Sequence, residues 1–181
     1  EPSMSRYQIP PPTHAGGQEV LGFRIDAVTE LADVRARCYE CTHLKTGARL
    51  LHLHCHDEEN LYAIAFRTPP RDATGVPHIL EHCVLAGSEK YPLKDAFNEL
   101  SKSTLNTFLN AMTWPDKTLY PVCSAVHADY FNLAAVYTDL VLHPLITRHT
   151  VEQEGHPLEL AALEDLGSDL TISGVVYNEI K

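Results

Sequence analysis

Four short segments rich in β-forming residues stand in a row before anything helix-like: VLGFRIDAV (20–28), VRARCYECTHL (34–44), ARLLHLHC (48–55) and NLYAIAFRT (60–68). Lys45-Thr-Gly-Ala48 between the second and third is a turn signal that predicts a hairpin, and His56-Asp-Glu-Glu-Asn60 makes another turn before the fourth. Helix-like and strand-like stretches alternate only afterwards. That order predicts an α+β fold, a mainly antiparallel sheet covered by helices.

Residues 1–18 (ending IPPPTHAGGQ) read as an extended arm, and TPPRDATGVP is a loop punctuated by Pro and Gly. A helix is expected from Pro77, since Pro suits a first helical turn, to Gly87, a residue often found just past a helix end. Further helices are expected over 94–102, 127–142 and 149–162, and strands over 105–114, 118–123 and 171–176. No internal repeat, low-complexity run or domain boundary is visible. The stop after Tyr177-Asn-Glu-Ile-Lys181, with no closing element, reads as a cut from something longer.

Composition narrows the function. Fourteen Lys and Arg against 24 Asp and Glu give a net charge of −10, the wrong sign for a nucleic-acid partner. No apolar run reaches the ~20 residues of a membrane span. Five scattered cysteines suit a reducing compartment better than a disulfide framework.

The stretch His78-Ile-Leu-Glu-His82 carries the chemistry. On a helix, His78 and His82 are four residues apart and share a face, so two imidazole nitrogens can meet one metal ion. Glu81 lies at the edge of that face, within reach of a water held by the ion. The order HxxEH is the inverse of the HExxH zincin motif. It points to Zn²⁺ with Glu81 as the base that takes a proton from water attacking a peptide carbonyl. Against this stands a helix whose polar face happens to read His, Glu, His. A catalytic zinc needs a third protein ligand, and Glu152, Glu154, His156, Glu159, Glu164 and Glu179 are all available downstream.

The longer segments PHILEHCVLAGSEKYPLKDAF, TFLNAMTWPDKTLYPV, VEQEGHPLE and GVVYNEIK resemble the presequence-protease branch of the pitrilysin/insulysin zinc metallopeptidases. The likeness begins near Leu21 and covers about nine-tenths of the chain. It implies zinc ligands at His78, His82 and Glu179, with Glu81 as general base. It implies that residues 19–181 form most of an N-terminal catalytic domain, truncated at its C-terminal end. It implies a substrate strand in which Asn110, Ala111 and Met112 line the cleft and hold an unfolded peptide through backbone hydrogen bonds. Members of the family are longer, with four related α+β domains in two halves, and the distant half supplies an Arg and a Tyr to the active site. The resemblance therefore implies a zinc endopeptidase of short unstructured peptides that needs its missing C-terminal half and is nearly inactive as this fragment. A bacterial cytoplasm and a mitochondrial matrix both suit it. The alternative is a non-catalytic binding or scaffold domain on the same fold, though a scaffold has no need of Glu81.

Other polar clusters invite weaker readings. His52, His54 and His56 alternate and would share one strand face, more in the manner of a solvent-facing row than a metal patch. Cys38 and Cys41 form a lone CxxC whose sulfurs would face opposite sides of a strand, so both read as structural. Cys83 is expected to be a small buried residue beside the motif, and Trp114 and Tyr120 to pack the sheet. Glu154 and His156 are candidates to orient a ligand histidine through its other ring nitrogen.

Overall fold

The computed structural model describes residues 8–162 and 164–180. It falls into two compact units that divide between Glu58 and Glu59. In the first, strands β1 (Glu19–Val20), β2 (Phe23–Leu31), β3 (Ala36–His43) and β4 (Arg49–His54) form one antiparallel sheet in the order β1-β2-β3-β4. The expected hairpin is β3–β4, closed by the Thr46-Gly47 turn, where the Gly47 amide donates to the His43 carbonyl. Ile25, Tyr39 and Cys41 are the small buried core of this sheet. The Arg37 side chain donates to the carbonyl of Pro10, and the Thr13 amide donates to the Tyr39 hydroxyl. These two bonds hold the described end of the Pro-rich arm on β3.

The second unit is built on β8 (Lys117–Ser124), whose residues from Thr118 onward are almost all buried. β5 (Asn60–Arg67) pairs along one side of it; β6 (Phe108–Leu109) and β7 (Met112–Thr113) pair along the other. Every pairing is antiparallel. Helices α1 (Val76–Val84), α2 (Ala96–Ser103) and α3 (His127–Leu142) cover this sheet. α3 occupies the range expected. Its Leu133, Tyr137 and Leu140, at i, i+4 and i+7, are fully buried against Tyr120 and Val122 of β8 and Val84 and Leu85 at the end of α1. The end of the metal-motif helix is thus part of the unit's core. Ser88, just beyond it, is buried and donates to Asp139 of α3 at 2.5 Å.

Three sequence expectations change. The strand expected over 105–114 is interrupted at Asn110-Ala111. The register does not slip: Leu109 faces Val122 and Met112 faces Leu119, so Asn110 faces Pro121. The Asn110 amide donates to the Pro121 carbonyl at 3.1 Å, but proline has no N–H to return the bond. The helix expected over 149–162 is α4 (Arg148–Glu154) alone, because Pro157 cannot donate within a helix and biases His156 away from helical geometry. Beyond Pro157 the chain turns into a hairpin of β9 (Leu158–Leu160) and β10 (Leu170–Ile172). The strand expected over 171–176 ends at Ile172, and Val175-Val176 open α5 (Val175–Ile180) instead. Val176 is buried against Ile79 and Cys83 of α1, so packing overrides the β-preference of paired valines.

Glycine roles also differ from expectation. α1 stops at Val84 with Leu85 as its cap. Gly87 lies beyond, and a Cβ there would sit 2.4 Å from the Leu93 carbonyl oxygen. Its small size allows a close chain crossing rather than a helix end.

Candidate metal centre

α1 places its two histidines by period. His78 and His82, one turn apart, have ring centroids 5.0 Å apart, and both line a cleft of about 560 Å³. Glu179 arrives from α5, 97 residues beyond His82 (179 − 82). One of its carboxylate oxygens lies 3.3 Å from His78 Nε2 and 3.5 Å from His82 Nε2. One donor atom from each of the three residues falls within 4.8 Å of the others, and among the described residues this is the set able to hold a metal ion. Ligands ~2.1 Å from a tetrahedral ion sit ~3.4 Å apart, a spacing that the two distances from Glu179 match, and two imidazoles with a carboxylate are donors that suit zinc.

A backbone contact delivers Glu179. Gly174, just before α5, has φ +135°, and a Cβ there would fall 1.8 Å from the carbonyl oxygen of Gly155. Gly155 in turn ends α4, where a Cβ would meet the Val151 carbonyl oxygen at 2.7 Å. Two glycine backbones in contact thus bring the ends of α4 and α5 together beside α1.

Glu154, the last residue of α4, accepts from His82 Nδ1 at 3.1 Å. A bond there leaves Nε2 as the lone-pair nitrogen turned to Glu179, which is how a carboxylate behind a ligand histidine fixes its tautomer. His156 takes no part in the cleft, so of the two orienting candidates the structure brings in Glu154 alone. Glu152, which also stood open as a ligand, pairs with Arg148 on the exposed side of α4.

Glu81 lines the same cleft and is only 5% exposed. A buried carboxylate needs hydrogen bonds. One oxygen, Oε2, accepts from the Thr113 hydroxyl at 2.5 Å. Asn110, Ala111 and Met112 line the cleft wall, on the sheet edge formed by β6 and β7. The Ala111 amide is satisfied by the Asn110 side chain at 2.9 Å. Thr113 is the residue that sequence reasoning missed. Its signal was the Thr113–Thr118 cross-strand pair, legible only once the register is known.

The remaining clusters resolve simply. Cys83 packs with Ile79 and Val176, and burial, helped by the Glu154 charge, pushes its thiol up to about 11. Cys38 and Cys41 are buried free thiols, raised in pKa chiefly by burial. His52 and His54 stack on exposed β4 at 6.1 Å and belong to no ligand set among the described residues. Tyr120 is in the core, whereas Trp114 is 40% exposed, with Lys117 Nζ 5.6 Å from its ring centroid.

No helix among the described residues is long and apolar enough to cross a membrane. The sequence pattern of the insulinase family, peptidase family M16, matches residues 66–169. The chain is 43% identical over 93% of its length to the mitochondrial presequence protease of Eremothecium gossypii, covering 17% of that protein. It is 44% identical over 90% to the chloroplastic/mitochondrial presequence protease 1 of Arabidopsis thaliana, covering 15%. It is 47% identical over 88% to Protein HypA of Clostridium perfringens, covering 16%. The chain therefore spans about a sixth of the length of these relatives. The crystal structure of pitrilysin matches 75% of this chain and 14% of its own with a TM-score of 0.57 at 23% identity, a likeness of fold. With the α+β fold, the inverted motif on α1 and the family pattern in agreement, the chain belongs to the insulinase family of peptidases, M16.

Proposed function

We propose that this chain is the zinc-binding part of an endopeptidase acting on short, unstructured peptides. The observation that carries the reading is the convergence of Glu179 on His78 and His82 at 3.3 and 3.5 Å, with Glu81 buried in the same cleft. When bound, zinc would lower the pKa of a water and polarise the scissile carbonyl. His78, His82 and Glu179 would hold it, with Glu154 fixing the His82 ring. Glu81 takes the proton of the attacking water on a carboxylate oxygen and returns it to the leaving amine. The free edge of β6 and β7, at Asn110, Ala111 and Met112, takes the peptide backbone as an added strand. Contacts of that kind read an extended backbone rather than side chains, which favours unfolded substrates.

The missing C-terminal half is the expected partner, and it completes the active site. The isolated chain binds zinc and cleaves peptides very slowly. The compartment is a bacterial cytoplasm or a mitochondrial matrix, in keeping with five cysteines that carry no disulfide.

The test is zinc content by elemental analysis, with peptide cleavage measured on the natural polypeptide that contains this segment. About one zinc per chain, lost in His82→Ala and weakened in Glu179→Gln, is expected. Cleavage should vanish in Glu81→Gln with zinc retained. Zinc indifferent to His82 and Glu179, or activity surviving Glu81→Gln, overturns the reading. In that event the scaffold alternative takes its place.

A further inference from the structure

Behind Glu81 stands a line of three threonine hydroxyls. Thr113 Oγ1 is 2.5 Å from Glu81 Oε2, Thr118 Oγ1 is 3.2 Å from Thr113 Oγ1, and Thr68 Oγ1 is 2.7 Å from Thr118 Oγ1. Thr118 is 2% exposed, so no bulk water competes for its hydroxyl. The direction of the line is fixed by proton counting. An ionised carboxylate can only accept, so Thr113 must give its one hydroxyl proton to Glu81. Thr113 then accepts from Thr118, and Thr118, having spent its own proton, accepts from Thr68. All three O–H dipoles run toward the carboxylate, and each strengthens the next.

The line also crosses the sheet. Thr68 comes directly after β5, Thr118 is on the central strand β8, and Thr113 is on the edge strand β7, beside Met112 of the cleft wall. The other oxygen, Oε1, makes no hydrogen bond to any described residue.

We propose that Thr113, backed by Thr118 and Thr68, is the positioning residue for Glu81. It commits Oε2 to the sheet, which leaves Oε1 for the proton of the attacking water. It also ties the base to the strand along which the peptide lies, so base and scissile bond keep one spacing. The inference rests on Glu81 being the general base.

The test compares Thr113→Val, which keeps shape and loses the hydroxyl, with Thr113→Ser, which keeps the hydroxyl. Both are made in the natural polypeptide containing this segment, alongside Thr118→Val and Glu81→Gln. Hydrogen bonds to a charged group set the scale, about 10–100-fold in rate. Thr113→Val should lower kcat by that factor, leave KM within about twofold and keep the parent zinc content. Thr113→Ser should return to within about threefold of the parent, and Thr118→Val should lose about threefold. An unchanged kcat in Thr113→Val, a Ser variant as poor as the Val variant, or loss of zinc in Thr113→Val overturns the assignment. An unaffected Thr118→Val overturns the line behind Thr113. Activity surviving Glu81→Gln is a separate failure, that of the base itself.

Discussion

Each unit of the molecule carries a pair of neighbouring histidines, and among the described residues only one pair belongs to a set that could hold a metal ion. His52 and His54 alternate along β4, with stacked rings 6.1 Å apart. His78 and His82 succeed each other around α1, with rings nearly edge to face at 5.0 Å. The spacings are similar; what differs is what lies beyond the rings. β4 is the edge of its sheet and exposed along most of its length, including Leu50, Leu51 and Leu53. The α1 pair is met by Glu179 in front and Glu154 behind, each brought there by a separate helix. Histidine density in a sequence therefore says little; convergence of carboxylates from distant segments says much.

The sharpest way to break this contrast is to remove one pair at a time. His82→Ala should reduce zinc binding by two orders of magnitude or more, on the order of a lost ligand. Replacing His52 and His54 together by alanine should leave zinc content unchanged. Retention in the first case, or loss in the second, would reverse the assignment of the two pairs.

Next comes Gly174→Ala, which touches no ligand. Its Cβ would meet the Gly155 carbonyl oxygen at 1.8 Å, so the backbone contact that delivers Glu179 must open. Strain and clash together should cost more than about 2 kcal/mol. Zinc affinity measured by competition with a chelator should fall at least tenfold, and normal affinity would show that Glu179 arrives by another route.

Glu154→Gln should weaken zinc by about 10–100-fold, the usual scale for the partner behind a ligand histidine. Unaltered affinity would mean that His82 is held by packing on α1 alone.

The smallest effect is expected in the first unit. Burial, helped by His54, lowers the pKa of His52 from its ordinary 6.5. Below 6.5 the unfolded chain binds the proton more readily than the folded sheet. Stability of this unit should therefore rise with pH up to about 6.5 and be lost as pH falls through that region. His52 is only partly buried on the edge strand β4, so the slope is small. His52→Asn should flatten it in thermal unfolding monitored between pH 5 and 7, and a slope independent of His52 would assign it elsewhere.

The parts legible in sequence were those set by neighbours along the chain. The i, i+4 histidines, the amphipathic face of α3 and the Thr46-Gly47 hairpin each depend on a few adjacent residues. The illegible parts depended on partners far away. Val175-Val176 reads as strand until Ile79 and Cys83 claim Val176 for a helix packing. The helix after Arg148 reads as long until Pro157 is weighed against its acidic, helix-favouring flank. The break at Asn110-Ala111 is invisible without knowing that Pro121 stands opposite. The resemblance to known peptidases named Glu179 as a ligand, yet nothing local to Tyr177-Asn-Glu-Ile180 marks it. The tie between Thr113 and Glu81 needed the three-dimensional register of β7.

The separation between α1 and Glu179 has a consequence in time. During synthesis His82, the later of the two histidines, leaves the ribosome 97 residues ahead of the carboxylate that meets it. At ordinary elongation speeds of roughly 5–20 residues per second, that is a lag of about 5–20 s. Through that interval a nascent chain offers an ion two imidazoles and no closing ligand. Such a half-site would let go easily of whatever it meets, so under the proposed function the metal would be chosen after the two glycines touch, not while the helix is emerging.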